Sequence, residues 1–317
     1  FLRQNKPVVE SNKKQAYIPE GGTFIHNEVG TAPGLIIEYG DKTLFLLPGP
    51  PNEMKPMLDA AVLPVLKTKS PYIIKSVYVK SFGIGESAVE NAIKELIDNQ
   101  TNPTIATYAK PGEVCIRVTA KSRSEKDAMD LINPVVERIV DILGDSVYTT
   151  EDKELETIVA EMLLENMSTI AIAESCTGGL ITAKLTSNPG ISASLDRAVI
   201  TYSNQSKIEL LKVREETLTK YGAVSSETAV EMAEGVKKTS GADIGLAVTG
   251  IAGPGGGTRE KPVGLVFIAL STADGTVAKK YEFGGDRNRI RNLAAMHALN
   301  MVRLSLLGRW HLNLKEH

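Results

Sequence analysis

The sequence predicts an α/β protein, built as a layered α/β domain over residues 149–317, a small α+β domain over 71–148 and a turn-rich region of strands and one helix over 1–70. Three observations carry that reading. From Glu151 onward, helical apolar periodicity alternates with short β-rich apolar runs. Residues 71–148 read strand, helix, strand, strand, helix. Residues 1–66 are punctuated by PEGGT (19–23), GTAPG (30–34) and LPGPP (47–51), which favour strands and turns over helices. At 317 residues the chain is too long for one ordinary core.

In chain order, Leu35–Tyr39 and Thr43–Leu47 are short strands around the turn Gly40-Asp41, and a helix runs from Asn52 to about Val65 with Pro51 near its start. Ile73–Ser81 alternates as a strand. Gly85–Asn99 places Val89, Ile93, Leu96 and Ile97 at helical spacing. Strands Thr104–Tyr108 and Glu113–Ala120 flank the turn Lys110-Pro111-Gly112, and the helix Ser124–Leu143 ends at Gly144-Asp145. The third region begins with helix Lys153–Asn166, strand Thr169–Glu174, a glycine-rich turn and helix Leu180–Ser187. Strand Ala198–Tyr202, helices over Asn204–Tyr221 and Ser226–Thr239, and strand Asp243–Val248 come next. Strands Val263–Thr272 and Thr276–Phe283 precede a long helix, Arg287–Leu307.

Hydrophobic content of 42% with 23% charge is that of a globular protein. A net charge of −2 gives no field that attracts nucleic acid or an anionic membrane, so an anionic ligand must be held by local groups. Two cysteines, Cys115 and Cys176, exclude a disulfide framework or a zinc cluster and suit a reducing cytoplasm. His26, His297, His311 and His317 are scattered without metal-ligand spacing. The longest apolar run, Val263–Leu270, is too short to cross a bilayer, and no signal-peptide pattern opens the chain, although Phe1 is not a natural start. A cytoplasmic protein without nucleic-acid or membrane partners is expected.

Four segments carry candidate chemistry. In AESCTGG (173–179) a buried strand runs into Ser175, two glycines and a helix. Ser175 is placed to attack a carbonyl, with the N–H groups of Thr177 and Gly178 to receive the developing oxyanion. The bland alternative is a serine helix cap. Cys176 is the rival nucleophile in the same turn. No histidine lies between His26 and His297 to serve as base, which turns attention to Lys207 in ITYSNQSK, in the first turn of the helix after the next strand. Two strand ends of one α/β sheet share an edge, so Ser175 and Lys207 are expected to converge there, and the amine acts as a base only if burial or a cationic neighbour lowers its pKa. AVTGIAGPGGG (247–257) offers the Thr249 hydroxyl, the Gly250 N–H and close backbone approach from Gly253 to Gly257. In FGGDRNRIR (283–291), Asp286 suits an N-cap, while Arg287, Arg289 and Arg291 are candidates for an anion at a helix start.

Taken together, AESCTGGLITAKLT, ITYSNQSK, GAVSSETA, AVTGIAGPGGG and FGGDRNRIR closely resemble the CinA C-terminal family, the nicotinamide mononucleotide (NMN) deamidases also called PncC, over about residues 152–310. Upstream, NKKQAYIPEGG, GTAPG, LPGPPNEM and FGIGES resemble the rest of full-length CinA. The resemblance implies a KH-like middle domain (71–148) and a partial molybdopterin-binding-like (MogA/MoaB-like) α/β domain (1–70). It implies Ser175 as nucleophile and Lys207 as base, with Tyr202, Asn204, Thr249 and Gly250 lining the site and Arg287 on the phosphate. The implied reaction is hydrolysis of the NMN amide to nicotinic acid mononucleotide and ammonia, without a cofactor, in a homodimer. The family's N-terminal domain is linked to ADP-ribose hydrolysis with a divalent metal. Its GGLGPT-like loop does not precede Phe1, so that activity is not expected of this chain. The alternative class is a pterin- or nucleotide-binding module without catalysis. RNA binding is disfavoured, because FGIGES lacks basic flanks and aromatic residues are 5% of the chain.

Overall fold

The computed structural model describes residues 17–309, so the start of NKKQAYIPEGG, His311 and His317 lie outside the described residues. The chain divides into two compact units, one reaching Lys75 and including Lys121–Met129, the other made of Ser76–Ala120 and the chain from Asp130 onward.

In the first unit, β1 (Gly22–Ile25), β2 (Gly34–Tyr39) and β3 (Lys42–Leu46) form an antiparallel sheet in chain order, with β2 and β3 meeting at the expected Gly40-Asp41 turn. The single helix expected to follow is broken into α1 (Pro51–Met57), a wide π turn (Leu58–Val62) and α2 (Leu63–Lys69). Pro56 and Pro64 explain the break: each removes a backbone donor and crowds the preceding turn. Ile25, Met57 and Val62 are the buried centre of this unit.

Two further sheets lie mainly in the second unit. In the first of them β4 (Ile73–Phe82), β5 (Thr104–Lys110), β6 (Glu113–Ser122) and β7 (Val147–Thr149) lie in the order β5-β6-β4-β7. Val114, Ile116, Val118 and Ala120 are buried at period two along β6, the spacing of one strand face. The expected helix Gly85–Asn99 is two helices, α3 (Glu86–Ala92) and α4 (Lys94–Asp98), separated where Ile93 leaves helical geometry at φ −102°, ψ 16°. α5 (Glu125–Leu143) matches its expected span.

The second sheet has five strands in the order β12 (Gly275–Glu282), β11 (Leu265–Thr272), β10 (Ile244–Gly250), β8 (Ile170–Glu174), β9 (Leu195–Ile200). β9, β8 and β10 are parallel, whereas β11 and β12 add antiparallel. β8 is buried throughout, with Ile170 and Ile172 in one core and Ala171 and Ala173 in the other. The first core is completed by α6 (Leu155–Glu165), α7 (Leu180–Thr186) and α11 (Arg287–Leu306). The second is completed by α8 (Asn204–Leu211), α9 (Glu215–Tyr221) and α10 (Ser226–Ser240). This is the layered α/β arrangement anticipated from the alternation of periods. Gly235 of α10 meets α8 without a side chain, since a Cβ there would stand 2.0 Å from the Leu211 carbonyl oxygen. That close approach fixes the helix that carries Lys207. No described helix is long and apolar enough to cross a membrane.

Candidate active site

The site forms at the C-terminal ends of the three parallel strands, where loops leave the sheet. β8 ends at Glu174, and the ladder runs one step further through Ser175 N–H donating to the Val248 carbonyl at 3.0 Å. Ser175 is 8% exposed. Gly178 and Gly179 follow with φ of 59° and 91°, the left-handed region open to glycine, and turn the chain into α7. Ser175 is not the cap of that helix, and Gly179, which is, provides no side chain. The capping work is done from the strand: the buried Glu174 carboxylate accepts from Gly179 N at 2.9 Å, Ile181 N at 3.2 Å, Thr182 N at 2.9 Å and Thr182 Oγ1 at 2.6 Å.

Glu174 was not singled out in the sequence, and it changes the oxyanion assignment. The N–H groups of Gly179, Ile181 and Thr182 at the start of α7 are committed to its carboxylate. Gly178 N–H donates to the Ser175 carbonyl at 3.2 Å, so Gly178 is corrected from an oxyanion donor to a turn residue. Thr177 is fully buried and its hydroxyl has no hydrogen-bond partner among the described residues. Its carbonyl accepts from Arg291 Nη2 at 2.7 Å and from Leu180 N at 3.3 Å.

Lys207 reaches Ser175 as expected. It lies in α8, whose N-cap Ser203 accepts from Ser206 N at 3.1 Å. Its Nζ stands 3.3 Å from Ser175 Oγ and donates to the Thr201 carbonyl at 2.7 Å, with 1% of the residue exposed. Burial strips water from the ammonium form and brings its pKa down from 10.5 to about 8. Cys176, the rival, belongs to the hydrophobic core, and burial pushes its thiol up to about 12, opposite to what a nucleophile needs.

The remaining predicted residues fall on the surrounding loops. Arg287 Nη1 donates to the Gly253 carbonyl at 2.7 Å and Nη2 to Tyr202 Oη at 3.2 Å, which ties together three loops that are distant in sequence. Tyr202 is 63% exposed, and Asn204 is the exposed first residue of α8. Asp286 caps α11 by accepting from Arg289 N at 2.7 Å. The three arginines therefore diverge: Arg287 to the 253 and 202 loops, Arg291 to the turn after Ser175, and Arg289 beside Gly285. Thr249 is buried but donates its hydroxyl to the Ala223 carbonyl at 2.7 Å, so its donor positions a loop and is not free for a ligand. Gly250 closes β10 where a Cβ would come within 2.7 Å of Val266. Lys261 Nζ bonds the carbonyls of Tyr221 and Val224 at 2.6 and 2.7 Å and pins the glycine-rich loop to the segment before α10.

A cavity of about 290 Å³ lies away from these loops, lined by Tyr78, Lys80, Tyr108, Arg117, Asp152 and Glu154 among others. Lys80 is ion-paired there with Asp152 at 2.9 Å and Glu154 at 3.2 Å, and Cys115 also lines it. No group of three or more His, Cys, Asp or Glu side chains among the described residues is arranged to hold a metal ion.

Residues 152–306 match the family model of the CinA C-terminal domain, and residues 76–149 match that of the damage-inducible protein CinA KH domain. A putative competence-damage inducible protein of Acetivibrio thermocellus is 55% identical over 96% of this chain and 73% of its own length. A CinA-like protein of Kosmotoga olearia is 49% identical over 97% of this chain and 74% of its own length. Among solved structures, the competence/damage inducible protein CihA from Agrobacterium tumefaciens is 41% identical, covers 49% of this chain and 97% of its own, and superposes with a TM-score of 0.46.

Proposed function

The chain belongs to the CinA family, and on that premise we propose that its C-terminal α/β region is a Ser–Lys amidohydrolase that converts NMN to nicotinic acid mononucleotide and ammonia. The observation that carries the reading is the buried Lys207 amine, 3.3 Å from Ser175 Oγ and brought down to about 8 by burial. A lysine kept near neutrality supplies a base at Ser175, to which no histidine among the described residues is hydrogen-bonded.

Neutral Lys207 takes the Ser175 proton as Oγ attacks the carboxamide carbon. The oxyanion is received at Thr177, whose buried hydroxyl is unpartnered. Lys207 returns the proton to the departing nitrogen, the C–N bond breaks and ammonia leaves. Water then gives a proton to Lys207 and attacks the ester, and Ser175 is regenerated. Arg287, held by Gly253 and Tyr202, receives the 5′-phosphate, with Asn204 at the start of α8 and Gly250 at the end of β10 also lining the site.

Ammonia release from NMN by the full chain is the direct measurement. Ser175→Ala is expected to abolish it and Cys176→Ala to leave most of it. Nicotinamide riboside, lacking the phosphate, is expected to fall by about one to two decades in kcat/KM, the worth of a charge-assisted contact. A wild type that binds NMN but releases no ammonia is a binding module, and equal kcat/KM for the two substrates removes Arg287 from the phosphate.

A further inference from the structure

The register at the end of the parallel strands places three hydroxyls in a row. Glu174 pairs with Ile200 on one side and Val248 on the other, and the ladder continues through Thr201 N–H to the Glu174 carbonyl at 2.8 Å and Ser175 N–H to the Val248 carbonyl at 3.0 Å. The next step across the sheet is therefore Thr201, Ser175, Thr249. Strand alternation puts all three on the face of Val199, Ala173 and Ala247, which is the face that α8 covers with Lys207. Two of these hydroxyls are engaged, Ser175 with Lys207 and Thr249 with the Ala223 carbonyl. The Thr201 hydroxyl is fully buried and has no partner among the described residues, although the same residue's carbonyl accepts from Lys207 Nζ.

A buried hydroxyl left without a partner lowers stability, and a valine of the same shape would remove that cost. We propose that the Thr201 hydroxyl holds the small polar molecule exchanged beside Lys207, first the departing ammonia and then the entering water. This rests on the Ser–Lys reading above. One position serves both, because the water that opens the ester approaches along the path by which the amine left. Acylation forms the Ser175 Oγ–carbonyl bond and breaks C–N, and Lys207 delivers the proton that completes ammonia. Deacylation runs the reverse transfers with water, which gives its proton to Lys207 as its oxygen bonds the carbonyl carbon. The C–Oγ bond then breaks and Oγ recovers the proton. The Thr201 hydroxyl donates to the ammonia lone pair and accepts from the water O–H, so it acts through these molecules as a positioning residue.

p-Nitrophenyl acetate separates the two half-reactions on the full chain, because nitrophenolate leaves without a proton. Thr201→Val is expected to keep the wild-type burst of nitrophenolate while its steady-state rate falls by about one to two decades. Its Tm is expected to equal or exceed that of the wild type. Thr201→Ser, which restores the hydroxyl, is expected to recover most of the steady-state rate. A Thr201→Val variant with wild-type steady state overturns the proposal, as does one that loses burst and steady state together with a lower Tm. A wild type without a burst overturns the Ser–Lys reading and this inference with it. A wild-type burst without ammonia from NMN overturns the substrate alone.

Discussion

An amine at 1% exposure, with burial as the main cause of its shift, is a cost the fold carries at Lys207, and the sign of that cost is measurable. In the unfolded chain Lys207 titrates at the ordinary 10.5; in the fold it titrates at about 8. Between these values the unfolded state binds the extra proton, so raising the pH from about 8 toward 10.5 favours the folded state. Below about 8 the penalty is fully present, on the order of 3 kcal/mol at roughly 1.4 kcal/mol per pH unit. Lys207→Met is therefore expected to melt at or above the wild type at pH 7, with the difference shrinking by pH 10. Its kcat is expected to fall by about two to four decades, the usual worth of a general base. Wild-type kcat is expected to rise with pH through one ionisation near 8. Lys207→Arg keeps the charge and cannot release it, so it should not rescue turnover. A flat pH profile or an active arginine variant would make Lys207 a positive charge and not a base.

At the scale of elements, the strand–turn–helix β8–α7 was legible, because a buried apolar run, two glycines and a helical period follow one another in sequence. The pairing of Ser175 with Lys207 was legible for a topological reason: both lie where parallel strands of one sheet end. Glu174 was not legible, since its partners are N–H groups five to eight residues downstream that no side-chain pattern announces. That the Gly178 N–H and the Thr249 hydroxyl already donate to carbonyls was not legible for the same reason, as nothing in the sequence records which carbonyl a donor meets. β7 is three residues long, too short for an alternation signal, and the π turn at Leu58–Val62 appears only once Pro56 and Pro64 are set against a helical path. Glu174→Gln tests the cap: the amide keeps one acceptor oxygen and turns an NH2 toward donors that need acceptors. Urea unfolding of the full chain is expected to show a loss of roughly 2–4 kcal/mol, with kcat falling more than KM changes because the Ser175 turn is displaced. Unchanged stability would mean that the carboxylate charge contributes nothing to the turn.

At the scale of the whole second unit, the two sheets share a core. Phe82 of β4 packs edge-on to His297 of α11 at 4.8 Å between ring centroids, and burial holds that imidazole down at about 4, neutral in the ordinary range. Tyr148 joins the same cluster of buried residues as Leu155 and Leu299. Arg303 of α11, 3% exposed and brought down to about 10 by burial, donates to the Asp145 carbonyl at 2.6 Å, the Val147 carbonyl at 3.2 Å and Asn300 Oδ1 at 2.9 Å. A shortened chain beginning at Glu151 contains every loop of the candidate site but removes Phe82, Tyr148 and two of the three acceptors of Arg303. It is expected to fold, to melt below the full chain and, under the proposed function, to release ammonia from NMN at 25 °C. Arg303→Met separates the causes. In the full chain it strands the two carbonyls and is expected to cost roughly 2–4 kcal/mol, the range for leaving buried acceptors without their donor. In the shortened chain those acceptors are already gone and Arg303 meets water, so the same substitution should cost well under about 1 kcal/mol. Equal costs in the two backgrounds would show that Arg303 acts within α11 alone. A shortened chain that folds but is inactive would show that residues before Glu151 complete the site.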